Sequence, residues 1–376
     1  MAKLVALDQP QGPFTPSLIA EIWERGNAVC VLDQRFSTSI KKRYVDALLP
    51  DEIWHENGEV TQLPGGVELI DGAALVVATS GTTSSPKAVV HTMKNLIASA
   101  NSTSQSLGVD PSLDHWICPL PISHIGGMSV ITRSLLTSTP ITVLGAMDPT
   151  EVRSLVAQGA NLISVVTQML TKIDIADFKT VLLGGQNPPP NLPQNVVATY
   201  GMTETGSGVV YGGRLIPQVE ARILNGEILL KGPMIASSYR NGDPVTDNQG
   251  WLHTDDYGSI DDAGLLHVEG RISEMINTGG EKVFPHEVEV ELQKIKGVLD
   301  CCVVGVPDTY WGEAVVAVIV MNTDHRRLDL SDLKSALSDR LPPWALPKCI
   351  QFVDAIPRTA LGKPQRTLVR KTLLAR

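Results

Sequence analysis

An apolar, β-branched run at residues 73–77 gives way abruptly to Ala78-Thr-Ser-Gly-Thr-Thr-Ser-Ser-Pro-Lys-Ala88, and this junction constrains the fold more than any other stretch. Such a run ending in Gly, Ser and Thr reads as a buried strand closing in a tight loop. The residues that follow, 89–105, read as a helix. Strand, hydroxyl-rich loop and helix together make a cradle for polyphosphate. Backbone N–H groups and hydroxyls donate to oxygens, and Lys87 offsets negative charge. A Walker A loop is excluded, because Pro86 stands at its second glycine position and Ala88 follows Lys87. Taken alone, the segment reads more simply as a polar surface turn.

From residue 73 to about 230, short apolar runs at 75–78, 141–144, 162–166, 181–183 and 196–199 alternate with helical patterns. That alternation predicts an α/β fold with a parallel or mixed sheet and helices on both faces. Residues 1–72 offer an amphipathic stretch at 17–25, an apolar run at 28–32 and a basic helix face at 41–43, read as a small lobe completing the sheet. Between 226 and 268 the pattern shortens to strands and turns. After Gly270-Arg271 a smaller α+β unit is expected. It would hold a helix from Pro285 to Lys296, strands at 301–306, 314–320 and 349–353, and a helix near 330–341. The expected organisation is a large N-terminal domain of mixed sheets with packed helices, 1–270, and a small mobile C-terminal domain, 271–376.

The chain has 376 residues, enough for two domains and a sizeable core. A net charge of −9 and a pI near 5.4 argue against nucleic acid as a partner. No apolar run approaches the roughly 20 residues that span a bilayer, and the first residues do not read as a secretory signal. The five cysteines are scattered without metal spacing, which fits a reduced cytoplasm.

Five further segments carry chemistry. Leu183-Gly-Gly-Gln186 and Tyr200-Gly-Met-Thr-Glu-Thr-Gly206 each end an apolar run, where α/β sheets place ligand loops. Trp251-Leu-His-Thr-Asp-Asp-Tyr-Gly258 carries paired acids. Gly270-Arg-Ile-Ser-Glu-Met-Ile-Asn-Thr-Gly-Gly280 precedes the Pro285 helix, and Pro357-Arg-Thr-Ala-Leu-Gly-Lys-Pro-Gln-Arg366 lies near the C-terminus. Pro119-Leu-Pro-Ile-Ser-His-Ile-Gly-Gly-Met128 adds a lone histidine among apolar neighbours, more often a core or surface residue than a catalyst.

In this order the segments resemble the adenylate-forming superfamily of acyl-CoA ligases, luciferases and peptide-synthetase adenylation domains. The loop is similar to its T-S-G-[ST]-T-G-x-P-K-G pattern, with Ser84 and Ala88 in place of glycines. Y-G-x-T-E is matched letter for letter, W-x-x-T-G-D-x-G with Asp255 at the glycine, and P-[RK]-T-x-x-G-K-x-x-R at the end. The resemblance implies ATP, Mg2+ and CoA as cofactors and cosubstrate. It implies that Thr79, Ser80, Gly81, Thr82, Thr83 and Lys87 cradle phosphates, and that Gly184, Gly185, Gln186, Tyr200 and Gly201 border adenine. Thr203 would meet the α-phosphate, and Glu204 with Thr82 would hold the metal. Asp256 and Arg271 would bind ribose, and Lys363 would be the catalytic lysine. Ser273 and Glu274 would form the hinge, usually Asp or Lys, and Gly279 and Gly280 would lie near the pantetheine tunnel. His124, Gly126, Gly127, Ser129, Gly206 and Ser207 would line the acid pocket, with His124 gating or orienting the substrate.

The compact size, the P-L-P-I-S-H-I-G-G-M segment and the serine at the hinge resemble the short o-succinylbenzoate–CoA ligases of menaquinone synthesis. That resemblance implies a second substrate carboxylate, for which Ser129, Ser207, Tyr211 and Arg133 are candidate partners. Arg133 is equally an ordinary solvated helix residue. Open alternatives are another aryl- or fatty-acid–CoA ligase, an enzyme loading a carrier protein, and a disabled nucleotide-binding remnant. The expected partners are small molecules, without nucleic acid or an integral membrane segment, and a homodimer is compatible with this reading.

Overall fold

The computed structural model describes residues 2–375 except 65, 80–85, 186–187, 190, 323–327 and 359–363. It divides into two compact units. The first comprises residues 1–222, 229–253 and 261–266, and the second 223–228, 254–260 and 267–376. Among the described residues no helix is long and apolar enough to cross a membrane.

The first unit is built on two mixed seven-stranded sheets. One runs, edge to edge, through Ser238–Tyr239, Lys87–Thr92, Ala73–Thr79, Ala28–Val31, Leu4–Asp8, Glu52–His55 and Val60–Gln62. The other runs through Arg214–Leu215, Ser207–Tyr211, Val196–Met202, Thr180–Gly184, Leu162–Val166, Trp116–Cys118 and Ile141–Val143. Each centre is parallel; both edges of the first sheet turn antiparallel, whereas the second does so only on the Arg214–Leu215 side and stays parallel out to Ile141–Val143. Strands buried on both faces read as near-continuous apolar runs, and Leu162–Val166, with one serine, and Ala73–Thr79, apolar up to Thr79, do so. Leu75, Trp116, Met128 and Ile131 belong to one buried cluster. Each such side chain is worth about 1.5–3 kcal/mol of apolar burial.

Residues 89–92, expected to open a helix, instead belong to a strand, Lys87–Thr92, antiparallel to Ala73–Thr79, with Val77 opposite Val89 and Val76 opposite Val90. The helix begins only at Met93 and runs to Leu107. Two features decide this. The β-branched Val89, Val90 and Thr92 suit a pleated ladder, and Thr92 with Asn95 forms a reciprocal capping box that fixes the helix start. An antiparallel strand pair therefore stands where strand, loop and helix were expected, with Lys87 at the head of its second strand.

In the second unit, Glu281–Val283, Ile276–Thr278, Gly312–Met321 and Val298–Asp308 form one sheet, with Cys349–Phe352 parallel to Gly312–Met321. The helices Pro285–Gln293 and Leu330–Leu337 carry Val288, Leu292, Leu333 and Leu337 into its core. The first of these stops short of the expected Lys296. Around Gly279 and Gly280 the chain makes a hairpin.

Arg240 shows how the sequence-distant N-terminal lobe is fastened to the first sheet. Its side chain is buried and donates to the carbonyls of Leu48, Leu49, Val67 and Glu68, while its backbone N–H donates to Ala88. Two of those carbonyls end the helix Thr38–Leu48, where a cation also meets the negative end of the helix dipole. Arg240→Met should lower stability by about 2–3 kcal/mol, since several buried carbonyls lose their donor. Denaturant midpoints of the two proteins check this, with a large loss of midpoint expected and the m-value unchanged.

Candidate active site

The hairpin that joins strands Val196–Met202 and Ser207–Tyr211 carries the Tyr200-to-Ser207 motif. Its strands come so close at Gly201 that a Cβ there would lie 2.1 Å from the Ser207 carbonyl oxygen, so only glycine fits. The turn Thr203–Thr205 is locked from within by the buried Thr205 hydroxyl. That oxygen accepts from Met202 N at 2.9 Å and lies 2.6 Å from the Ser207 carbonyl.

The other sheet holds the same turn from outside. His91 Nε2 donates to the Thr203 carbonyl at 2.8 Å. Burial pushes the His91 pKa down to about 4, so the ring is neutral at physiological pH and can donate from one nitrogen only. Ala236 N donates to the Glu204 carbonyl at 2.8 Å, and the Tyr239 hydroxyl donates to Glu204 Oε1 at 3.0 Å. Burial, and then Glu204, raise the Tyr239 pKa and keep that proton in place. Lys87 Nζ stands 5.4 Å from the centre of the Tyr239 ring, a cation–π distance. The structure thus brings together Lys87, Thr203 and Glu204 through Tyr239 and His91, two residues that no local spacing in the sequence singles out. Thr79 ends its strand and donates to the Lys87 carbonyl at 3.2 Å. Ser80, Gly81, Thr82 and Thr83 lie outside the described residues, as do Gln186 and Lys363. Gly184 ends its strand and Gly185 follows with φ 91°.

His124 precedes the helix Ile125–Thr137. Burial lowers its pKa, and its Nε2 is buried with no hydrogen-bond partner among the described residues. Gly127 must be glycine, since a Cβ would sit 2.4 Å from the Pro121 carbonyl oxygen. Along this helix Gly126, Ser129 and Arg133 are spaced i, i+3, i+7 and so share a face. Arg133 is 2% exposed, which rules out a solvated role. Its guanidinium lies 4.9 Å from the centre of the Trp116 ring, and its Nε and Nη1 have no hydrogen-bond partner among the described residues. Burial lowers its pKa, opposed by nearby Tyr211 and Cys118.

In the second unit, Asp256 is buried and pairs with Arg271 Nε at 2.8 Å. Arg271 Nη1 also donates to the Thr254 carbonyl at 3.1 Å. Asp255 meets that pair only at its margin, 4.0 Å from Arg271 Nη1. It is half exposed, has φ 59°, and its carboxylate accepts from the Ser273 hydroxyl. Glu274 pairs with Arg366 at 3.0 Å, which also pairs with the buried Glu289 at 2.6 Å. Gly279 and Gly280, with φ 62° and 88°, turn the hairpin Ile276–Val283. Among the described residues no group of three or more His, Cys, Asp or Glu side chains is placed to hold a metal. A magnesium ion needs only one or two carboxylates when phosphate oxygens complete its shell, so a lone Glu204 suffices.

Two family models match the chain: AMP-binding enzyme over residues 45–240 and AMP-binding enzyme C-terminal domain over residues 287–363. The 2-succinylbenzoate–CoA ligase of Enterococcus faecalis is 33% identical over 335 residues, 78% of this chain and 68% of that protein. A probable 2-succinylbenzoate–CoA ligase of Mycobacterium tuberculosis is 36% identical over 334 residues, 81% of this chain and 86% of that protein. The o-succinylbenzoate CoA synthetase of Bacillus subtilis, solved with its acyl-adenylate intermediate, has a TM-score of 0.86 at 24% identity, covering 98% of this chain and 88% of that chain. The same enzyme solved with ATP and a magnesium ion has a TM-score of 0.84 at 24% identity, covering 97% and 88%. At that identity the likeness is one of fold.

The two adjacent acids have different surroundings, and a nucleotide should feel them differently. Asp256→Ala should weaken ATP binding by about tenfold or more, the worth of one charge-assisted contact, and should free Arg271 as well. Asp255→Ala should change it less than about twofold, well below the worth of one such contact. Calorimetric titration of both variants with ATP checks this, and equal losses would reject the assignment.

Proposed function

This chain belongs to the AMP-binding enzyme family, and we propose that it is an AMP-forming acid–thiol ligase acting on 2-succinylbenzoate. The acid's carboxylate oxygen attacks the α-phosphorus of ATP and pyrophosphate leaves. The thiol of CoA then attacks the acyl carbon of the adenylate and AMP leaves.

The observation that carries the substrate is Arg133. A buried guanidinium without an ion pair among the described residues is costly, and an anion delivered by a ligand would offset that cost. Arg133 shares a helix face with Ser129 and Gly126, two turns beyond His124. An acid with a carboxylate remote from the reacting one suits that placement, and benzoate or a fatty acid leaves the cation unmet. The curated relatives act on such a diacid by name.

The remaining roles follow the family pattern. Glu204, fixed by Tyr239, offers Mg2+ a hard oxygen ligand, and the ion when bound supplies charge neutralisation for the phosphates. Lys87 with the loop 80–83 binds phosphate, Thr203 the α-phosphate, and Tyr200, Gly201 and Gly184–Gln186 the adenine. Asp256 and Arg271 hold ribose. His124 with Gly126, Gly127, Ser129, Gly206 and Ser207 surrounds the acid. A division at 270/271 would let Ser273–Glu274 act as hinge, so that Lys363 serves the first half-reaction and Gly279–Gly280 the second. The working partners are ATP, the acid and free CoA, and the setting is the cytoplasm.

Pyrophosphate release over a panel of acids, with and without CoA, tests the assignment. Turnover should favour 2-succinylbenzoate over benzoate and medium-chain fatty acids by at least about tenfold, and Arg133→Leu should abolish that preference. Better turnover of benzoate or a fatty acid would remove the succinylbenzoate assignment and leave the ligase. Lys363→Ala should slow adenylate formation by about 10²–10³-fold, as loss of one transition-state donor does, while supplied acyl-adenylate is still converted to thioester. Equal damage to both half-reactions would refute that division of labour.

A further inference from the structure

The lobe formed by the first residues of the chain reaches the candidate acid pocket through two side chains. Gln11 holds the backbone of the segment before His124: its Nε2 donates to the carbonyls of Leu120 and Leu144 at 3.1 and 2.7 Å, and its Oε1 accepts from Ile122 N at 3.0 Å. Asp33 takes over where Gln11 stops. It is buried, its Oδ2 accepts from the Ser123 hydroxyl at 2.7 Å, and the same oxygen stands 3.9 Å from His124 Nε2. Its carboxylate is held in turn by a fork from Arg35, with Nε donating to Oδ1 at 2.8 Å and Nη2 to Oδ2 at 2.6 Å. Asp33 lies ahead of residues 45–240, which match the family model.

We propose that Asp33 is a positioning residue for His124, fixing the Ser123–His124 corner through the Ser123 hydroxyl and presenting a carboxylate to the buried Nε2. Three features carry this. His124 Nε2 has no hydrogen-bond partner among the described residues, so its orientation is set by the charge that faces it. The Asp33 carboxylate is ionised although buried: burial opposes ionisation, but the hydrogen bonds from Arg35 and Ser123 outweigh it and hold the carboxyl well below the usual carboxylate range. And the distance of 3.9 Å is too long for a direct hydrogen bond. The imidazole is therefore steered by charge without being locked, as a side chain that must swing against an incoming acid requires.

This inference rests on the reading of His124 as a residue at the acid. Its test uses the full chain and whichever acid the panel shows to be turned over best. Asp33→Ala should raise KM for the acid about tenfold, the worth of one charge-assisted contact, and leave KM for ATP within about twofold. Ser123→Ala, a milder change, should raise KM for the acid by a few-fold without touching KM for ATP. In a His124→Gln background, Asp33→Ala should add less than about twofold, because residues acting as a unit are not additive. Parallel rises in both KM values, or a full additional effect in the His124→Gln background, would show a general structural role and overturn the proposal. Should Asp33→Ala fail to fold, Ser123→Ala decides on the same criterion. If His124→Gln raises KM for the acid while Asp33→Ala and Ser123→Ala do not, the inference alone falls. If His124→Gln leaves it unchanged, the reading of His124 falls and the inference with it.

Discussion

Between the two large sheets, the Thr203 carbonyl and the Glu204 carbonyl and carboxylate all find their partners across the boundary. A tight turn at a strand end leaves groups that its own ladder cannot satisfy. Here the opposite sheet supplies the donors: His91 from the strand Lys87–Thr92, Ala236 from the segment before Ser238–Tyr239, and Tyr239 from that edge strand itself. The side chain proposed to meet a metal, Glu204, therefore stands on one sheet and is aimed by another. Loss of any one donor would leave a part-buried acceptor unmet, at up to about 1–3 kcal/mol. That cost makes the seam a condition of the fold as well as of the site. It also explains why His91 stays neutral. A charged imidazolium would have a second buried N–H to satisfy, and Nδ1 has no partner among the described residues.

How much of this was legible in the sequence follows from which signals are local. The parallel strands announce themselves because burial on both faces leaves runs such as Leu162–Val166 apolar at every position but Ser164. The strand Lys87–Thr92 did not, because Val89 and Val90 continue smoothly into the helical spacing after Met93. Only pairing with Ala73–Thr79 settles its state, and pairing is not visible in one segment. The hairpin at Gly279 was missed for a similar reason: strands of three residues are too short to show a period. Site residues within motifs were readable because spacing carries them. Asp33, His91 and Tyr239 were not, since they act on residues 91, 112 and 35 positions away by folding alone. For Arg133 the sequence left two roles open, and burial removes the solvated one.

Asp255 and Ser273 are two places where the chain departs from the family pattern around the proposed hinge, and the structure puts them in contact. The departure at 255 has a backbone cause. A φ of 59° is the left-handed region, where glycine is at ease and a short polar side chain is the next best tolerated. Having accepted that backbone, Asp255 directs its carboxylate to the Ser273 hydroxyl, and its N–H is met by Glu227 Oε1 at 3.1 Å. The departure at 273 then has an electrostatic cause. An aspartate at 273 would set two carboxylates at hydrogen-bonding distance, which like charges oppose. A serine donates instead. A glycine at 255 leaves residue 273 free to carry the acid, whereas an aspartate at 255 requires a neutral donor there. The corner thus keeps one carboxylate, moved from the hinge residue to the strand beside it, 4.0 Å from Arg271 Nη1 and next to the Asp256–Arg271 pair.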